Sequence, residues 1–384
     1  MTDFANREIV DVAEEFNYDT QSEIYSMHFK KWRKNKNNPY AFNFEMNRKE
    51  SVYIESKGFR VQKITDAESE ILGNIARVIS IGMLIWIFID MFLSKLVIPL
   101  FHYLGMDIQT FFYSKSFHGG GIEIVTAMII ISILKTVIPI IYLNKKMRLP
   151  NDVRFMKTLN RQNNLIMAIA LSVAASTVIC LPNIYKDSNA TQLYRYFSSL
   201  EADTAAWGQT EYIVYIIFDI IILSVLVETL FRGSMFAALR QFGDWFAILI
   251  TAVVSGLLVQ DVKEFPAFVL ISVIAGMGML MTGSIYTAFF VRIIFKMYRF
   301  TIAILEADPS PYMDIGRNAF MFTAFVISVG AALIVHFAER DRNWSADYIS
   351  ESTGLMRAFY MFKAYPCPIV VCLCLLAAGL DLVM

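Results

Sequence analysis

From about residue 78 to its last residue the chain is a succession of apolar runs, most of them close to the length that crosses a bilayer. A helix needs about 20 apolar residues to span the hydrocarbon. Runs of that order occupy 78–104, 122–143, 165–183, 211–240, 244–260, 265–282, 284–299, 317–338 and 365–384. In hydrocarbon every backbone N–H and C=O must be satisfied within the protein, so only helices and closed barrels can span it. The short alternating strands of a barrel are missing. The pattern predicts an all-α fold, a polytopic transmembrane helical bundle of about eight or nine spans. The stretch 265–299 is the ambiguous one, because two short runs abut at Thr282-Gly283.

Composition excludes the alternatives. The 384 residues are 56% hydrophobic and 18% charged, with a mean hydropathy of +0.50. Soluble domains carry about 25% charge, and one buried core cannot absorb such an apolar excess. Lys+Arg and Asp+Glu are both 34, so the basic surplus a nucleic-acid partner requires is absent. Cys180, Cys367, Cys372 and Cys374 lie in or beside apolar runs without a CxxC pair. They read as small apolar fillers, and neither a metal nor a cofactor is expected.

Residues 1–75 are polar and form a separate N-terminal region, followed by a transmembrane domain over 76–384. No apolar stretch begins near Met1, so a cleaved signal peptide is not expected. Phe29-Lys30-Lys31-Trp32-Arg33-Lys34-Asn35-Lys36 is a basic-aromatic knot. It suits the headgroup layer of an anionic leaflet, a solvated loop, or a contact with the protein's own cytosolic face. The loop after the second run holds Lys145, Lys146, Arg148, Arg154, Lys157 and Arg161, which marks it as cytoplasmic. Two spans separate that loop from the N-terminus, so the N-terminal region is expected in the cytoplasm of a cell whose plasma membrane holds the rest.

An ionisable group in hydrocarbon costs roughly 2.5–3.5 kcal/mol on insertion scales. Asp90, Lys95, Lys135, Asp219, Glu228, Arg232, Arg292 and Lys296 all fall within the runs. Asp90, Lys95 and Lys135 suit snorkelling or local pairing. Glu228 and Arg232 are four apart and project from one helix face, and Arg292 and Lys296 repeat that spacing. These four form a candidate intramembrane charge network, in which Glu228 against Arg232 and Arg292 removes most of the desolvation cost. Gly243-Asp244 reads as a turn, Gly ending one helix and Asp capping the next. Counting residues outward from it brings Glu228 and Val259 to nearly equal depth on antiparallel helices.

These residues also fit a family pattern. Val227-Glu228-Thr229-Leu230-Phe231-Arg232-Gly233 resembles the EExxxRG signature of the CAAX-protease and bacteriocin-processing (CPBP, or Abi) intramembrane peptidases. Trp245 to Val259, ending in Ser255-Gly256-Leu257-Leu258-Val259, resembles that family's FGxxH segment. Gly276 to Lys296, with Thr282-Gly283-Ser284-Ile285-Tyr286 and then Arg292 and Lys296, resembles its third segment, which leads to HxxxN. The three follow in order over about 211–300, the CPBP-like core. The resemblance implies intramembrane peptide cleavage, in which the first Glu and the second-segment His activate water. The third-segment His and Asn hold the oxyanion. In this chain those catalytic positions carry Val227, Val259, Arg292 and Lys296. Of the signature's charged residues only Glu228 and Arg232 are retained, and Gln260 beside Val259 would point about 100° away on a continuing helix.

The remaining histidines offer no substitute by sequence. His28 is in the polar region, His102 and His118 flank the first interspan loop, and His336 ends the eighth run. His118-Gly119-Gly120-Gly121 has no accompanying G-x-S-x-G elbow. No HExxH, P-loop or post-strand GxGxxG occurs. Three readings follow. The first is a catalytically silent, bacterial-type family relative, a scaffold or immunity-type factor that binds lipids and a membrane protein or a lipidated or hydrophobic peptide. The second is an active peptidase using displaced residues. The third is a transporter, for which Gly276 and Gly278 interrupt one helix but find no counterpart in the first half. Within the charge network, Arg292 suits a neutral pair with Glu228, or with Arg232 and Lys296 an anion site.

Overall fold

The computed structural model describes residues 22–35, 38–42, 51–54, 58–61, 64–110, 116–159, 161–181, 201–202, 208–307, 311–339, 344–345 and 352–383. Lys36, the side chain of Lys95 and most of the Glu339-Arg340-Asp341-Arg342 loop lie outside the described residues. All nine apolar runs are helical. The helices are α1 Glu23–Arg33, α2 Ile64–Phe88, α3 Gly121–Met147, α4 Gln162–Ile179, α5 Gln209–Phe242, α6 Asp244–Leu257, α7 Phe265–Thr282, α8 Ile285–Ala307, α9 Pro311–Ala338, α10 Gly354–Lys363 and α11 Cys367–Val383. Beyond Phe88 the first span continues through a π turn, Ile89–Leu93, into a helix over Ser94–Tyr103.

Fewer helices than runs have the length and composition of a span on their own. Among the described residues six helices are long and apolar enough to cross a membrane, or seven if α10 and α11, bent by 88°, act as one. α6 has 14 residues, about 21 Å at 1.5 Å per residue, short of the ~30 Å hydrocarbon core. α8 drops out because it carries Arg292, Lys296 and Arg299. The chain is a multi-pass helical membrane protein. Short strands add to the helices: β1 Ser51–Ile54 pairs antiparallel with β2 Gly58–Val61, and β3 Ile108–Thr110 pairs with β4 Ser116–Gly119, itself parallel to β5 Glu201–Ala202.

α7 is the central helix, with 67% of its most apolar window buried, whereas α9 has 17% buried and lies at the periphery. Gly276 and Gly278 do not interrupt α7, which is continuous from Phe265 to Thr282. They let neighbours approach. A Cβ on Gly278 would stand 2.8 Å from the Ala168 Cβ of α4. The break falls at Gly283, whose φ of 70° is the left-handed conformation that favours glycine at a helix end. Ser284 there bridges Lys157, and Ile285 N–H donates to Met156 O at 2.9 Å.

α2 begins at Ile64, fourteen residues before the apolar run, because Glu68 in its polar first turns is buried beside Arg357 of α10. α1 places Tyr25, Phe29, Trp32 and Arg33 on one buried face, and that face docks on the protein itself. The Tyr25 hydroxyl donates to Val153 O at 3.2 Å and Trp32 Nε1 to Arg148 O at 3.1 Å. Arg33 donates to Phe42 O, and Gln241 clasps Phe42 N–H and Tyr40 O. The aromatic half of the knot therefore packs against the 148–156 loop and the end of α5, while Lys31 and Lys34 stay exposed.

Candidate functional site

The four charges singled out by spacing lie in the bundle interior, each at most 2% exposed. Glu228 sits at the end of an α-helical stretch of α5, Ser224–Glu228, where a π turn over Thr229–Phe236 begins. Its carboxylate accepts from Arg292 Nε on α8 and lies 3.5 Å from Arg232 Nε, one turn along its own helix. The Arg232 guanidinium also donates to Thr251 Oγ1 of α6, and to the main-chain oxygen and, at 2.6 Å, the Oγ of Ser272 on α7. Gly276 makes room for it, since a Cβ there would lie 3.3 Å from Arg232 Cζ. Arg292 extends to Ser255 Oγ at 3.4 Å. One carboxylate is thus enclosed by two guanidiniums, and side chains from α6 and α7 supply further acceptors to them.

Lys296 leaves this cluster. Its Nζ donates at 2.8 Å to Asp219 Oδ1 and at 2.9 Å to the Asp219 main-chain oxygen. Nine residues of ideal helix turn the chain by about 900°, which puts Asp219 and Glu228 on opposite faces. The π turn over Phe218–Leu223 widens the helix to i→i+5 bonding and brings both acids toward α8. The i, i+4 rule cannot find Asp219. The available signal is a charge count, because three cations around one acid require a second. A third buried pair, Lys135 Nζ to Asp90 Oδ1 at 2.8 Å, lies beside the Trp86 ring, with Asp90 also in a π turn.

Val227 is fully buried. Val259 is not on a helix: α6 ends at Leu257, and Gln260 has a φ of 57° in the turn that follows. The expected 100° offset between them on one helix does not apply. At the depth of the cluster α6 presents Ser255 and Thr251 instead, one and two turns before Val259. The wider turns of the π segment 229–236 advance less per residue than an α-helix, so Glu228 lies closer to the hairpin than counting predicts. Nor does Asp244 cap α6. It is the first helical residue, Gly243 (φ 109°) precedes it, and its carboxylate accepts from Arg240 Nε at 2.6 Å.

Glu228 and Arg232 thus lie on α5, Ser255 on α6 and Arg292 on α8, in the order glutamate–arginine, helix hairpin, then cation. Residues 209–298 match the Rce1-like family model, described as type II CAAX prenyl endopeptidase Rce1-like. The Rce1-like segment runs from the start of α5 into α8 and contains every residue of the Glu228 and Asp219 clusters. No curated protein and no solved structure matches the chain significantly.

Within the Rce1-like segment the retained carboxylate has two partners, both guanidiniums. His102, His118 and His336 are exposed and His28 is half-buried on α1, so all four imidazoles stand apart from the cluster. Among the described residues no three His, Cys, Asp or Glu side chains converge as metal ligands. The arrangement can neutralise charge and cross-link α5, α6, α7 and α8.

Proposed function

We propose that this chain is a catalytically silent relative of the CAAX-type intramembrane peptidases that acts by binding. Its partner would be a membrane protein or a lipidated or hydrophobic peptide in the plasma membrane, held by a scaffold or immunity-type factor. The observation that supports this reading is the enclosure of Glu228: its carboxylate is fully buried and engaged by Arg292 and Arg232. A general base must reach the proton it abstracts, and loss of a single oxyanion donor costs about 10²–10³ in rate. Here an aliphatic side chain stands at Val227 and another at Val259. The third-segment positions carry cations committed to Glu228 and Asp219.

The test is reconstitution in liposomes with a panel of farnesylated and unmodified hydrophobic peptides. The expected result is cleavage no faster than with the Glu228→Gln protein. Cleavage that resists chelators and disappears in Glu228→Gln would establish an active peptidase instead. Crosslinking in intact cells before extraction in mild detergent is expected to recover a stoichiometric membrane partner. The N-terminal region is assigned to the cytoplasm on the basic loop that α1 docks against. A cysteine placed at exposed Lys31 should resist an impermeant thiol reagent added outside intact cells.

A further inference from the structure

α10 is an amphipathic helix set nearly at right angles to the membrane helix that follows it. Its buried positions are Arg357 and Met361, while Leu355, Phe359 and Phe362 stand exposed on the other side. Arg357 holds it down, donating to Phe242 O at the end of α5 and to Ser352 O, with its guanidinium 5.5 Å from the Phe246 ring. The 88° bend before α11 lays α10 across the same end of the bundle where Gln241 binds the segment after α1, at Tyr40 and Phe42. A helix with one apolar face, placed across the end of a spanning bundle, has the geometry of the headgroup boundary.

Beneath α10, against the first two turns of α6, lies a groove of about 560 Å³ lined by Trp245, Phe246, Leu249, Ile250, Gly354 and Ala358 among others. That volume is within the ~300–1,000 Å³ of small-ligand sites. Trp245, Leu249 and Val253 repeat at four-residue intervals and are 38%, 51% and 41% exposed, so the groove opens onto a half-exposed apolar stripe of α6, at the head of which Trp245 packs edge-on against Trp344. On the roof, Gly354 and Ala358 are also four apart, and a Cβ on Gly354 would meet nothing within 4 Å. Among the described residues Arg357 is the one charged residue in the lining, and it is already balanced, since its Nε lies 3.6 Å from the buried Glu68 carboxylate. The site therefore calls for an apolar chain rather than an anion.

We infer that this groove holds one acyl chain of a bilayer phospholipid, with α10 lying in the headgroup layer as its roof. Lipid enters along the Trp245–Leu249–Val253 stripe, and the space for its chain is left by the missing side chain of Gly354 and the methyl of Ala358. The inference is independent of whether the Glu228 cluster has lost its chemistry.

The full-length protein, reconstituted in phosphatidylcholine nanodiscs with a trace of phosphatidylcholine carrying a diazirine on its acyl chain, is photolysed and its labelled peptides are mapped. Labelling is expected to concentrate on Leu249, Ile250 and Ala358 above the level on the outward face of α9, which reports annular lipid. Gly354→Phe and, as a second variant, Ala358→Phe should each lower groove labelling about tenfold, the loss for keeping roughly two methylene groups out of an apolar site. Labelling of α9 should not change in either variant. Groove labelling no higher than on α9, or unaffected in both variants, would overturn the proposal. So would labelling that excess farnesylated peptide displaces and excess phospholipid does not, because the groove would then belong to a prenyl chain.

Discussion

Lys296 donates to both oxygens that Asp219 offers in its direction, the carboxylate at 2.8 Å and the main-chain carbonyl at 2.9 Å. The second bond follows from the π turn in which Asp219 sits. Such a turn leaves a carbonyl without its usual partner, and a membrane interior supplies no water to replace it. Asp90 lies within another π turn and Glu228 immediately before a third. Asp90, Asp219 and Glu228 thus each stand where a spanning helix opens, facing a cation on a neighbouring helix, whereas buried Glu68 meets Arg357 from a regular stretch of α2.

Replacing Glu228 with Gln is expected to lower the thermal midpoint of the detergent-extracted protein well below that of Thr229→Ala. The Gln variant leaves Arg232 and Arg292 without a counter-charge, and breaking a buried pair costs about 3–5 kcal/mol. The Thr229 hydroxyl bonds only to Val225 O of its own helix. Equal midpoints would show that the cluster contributes nothing to stability.

A double-mutant cycle on Asp219→Leu and Lys296→Met should give a coupling within the ~0.5–3 kcal/mol seen for groups in contact. The double variant is expected to be more stable than either single one, because an apolar pair avoids the desolvation cost. Additive losses in chemical denaturation would contradict a direct pair.

Gly278→Val should destabilise by about 1–3 kcal/mol, the usual cost of overpacking, because α4 already stands 2.8 Å from the first added atom. Gly316→Ala on α9, where an added Cβ meets nothing within 4 Å, is the matched control and should be neutral or slightly stabilising. Comparable losses in the two variants would count against close packing of α4 on α7.

Burial raises the Tyr25 phenol above its ordinary 10.0, against the lowering pull of Arg240. A raised folded value means that the neutral phenol supports folding fully below about pH 10, and that this support is lost as the pH climbs through the folded value. Protease cleavage near α1 should therefore accelerate in alkaline buffer for the wild type. Tyr25→Phe, which keeps the ring without the proton, should show a flatter pH dependence. Identical profiles would remove Tyr25 from the docking contact.

The helices were legible because their apolar runs carry the signal along the whole chain, and Gly283 divides α7 from α8 at the glycine where two runs meet. The i, i+4 spacing of Glu228 and Arg232 likewise needs only local geometry. What the sequence conceals depends on departures from that geometry or on distant contacts. Asp219 faces Lys296 only because a π turn rotates it. Val259 lies beyond a helix end that its apolar neighbours disguise. Glu68 meets Arg357 almost three hundred residues later, which lengthens α2 into sequence that reads as polar. The docking of α1 rests on Gln241 and Phe42, residues with no periodic pattern of their own.

The crowding of Arg292, Lys296 and Arg299 into eight residues of α8 has a consequence for biogenesis. Three cations at about 2.5–3.5 kcal/mol each make this segment a poor candidate for leaving the translocon alone. Its counter-charges are on α5 and on Glu264 at the start of α7, which binds Arg299 at 2.7 and 2.8 Å. Both emerge from the ribosome earlier. The order of synthesis therefore has the acids waiting in the bilayer when the cationic helix arrives, and α8 enters lipid as part of an assembling group rather than as an independent span.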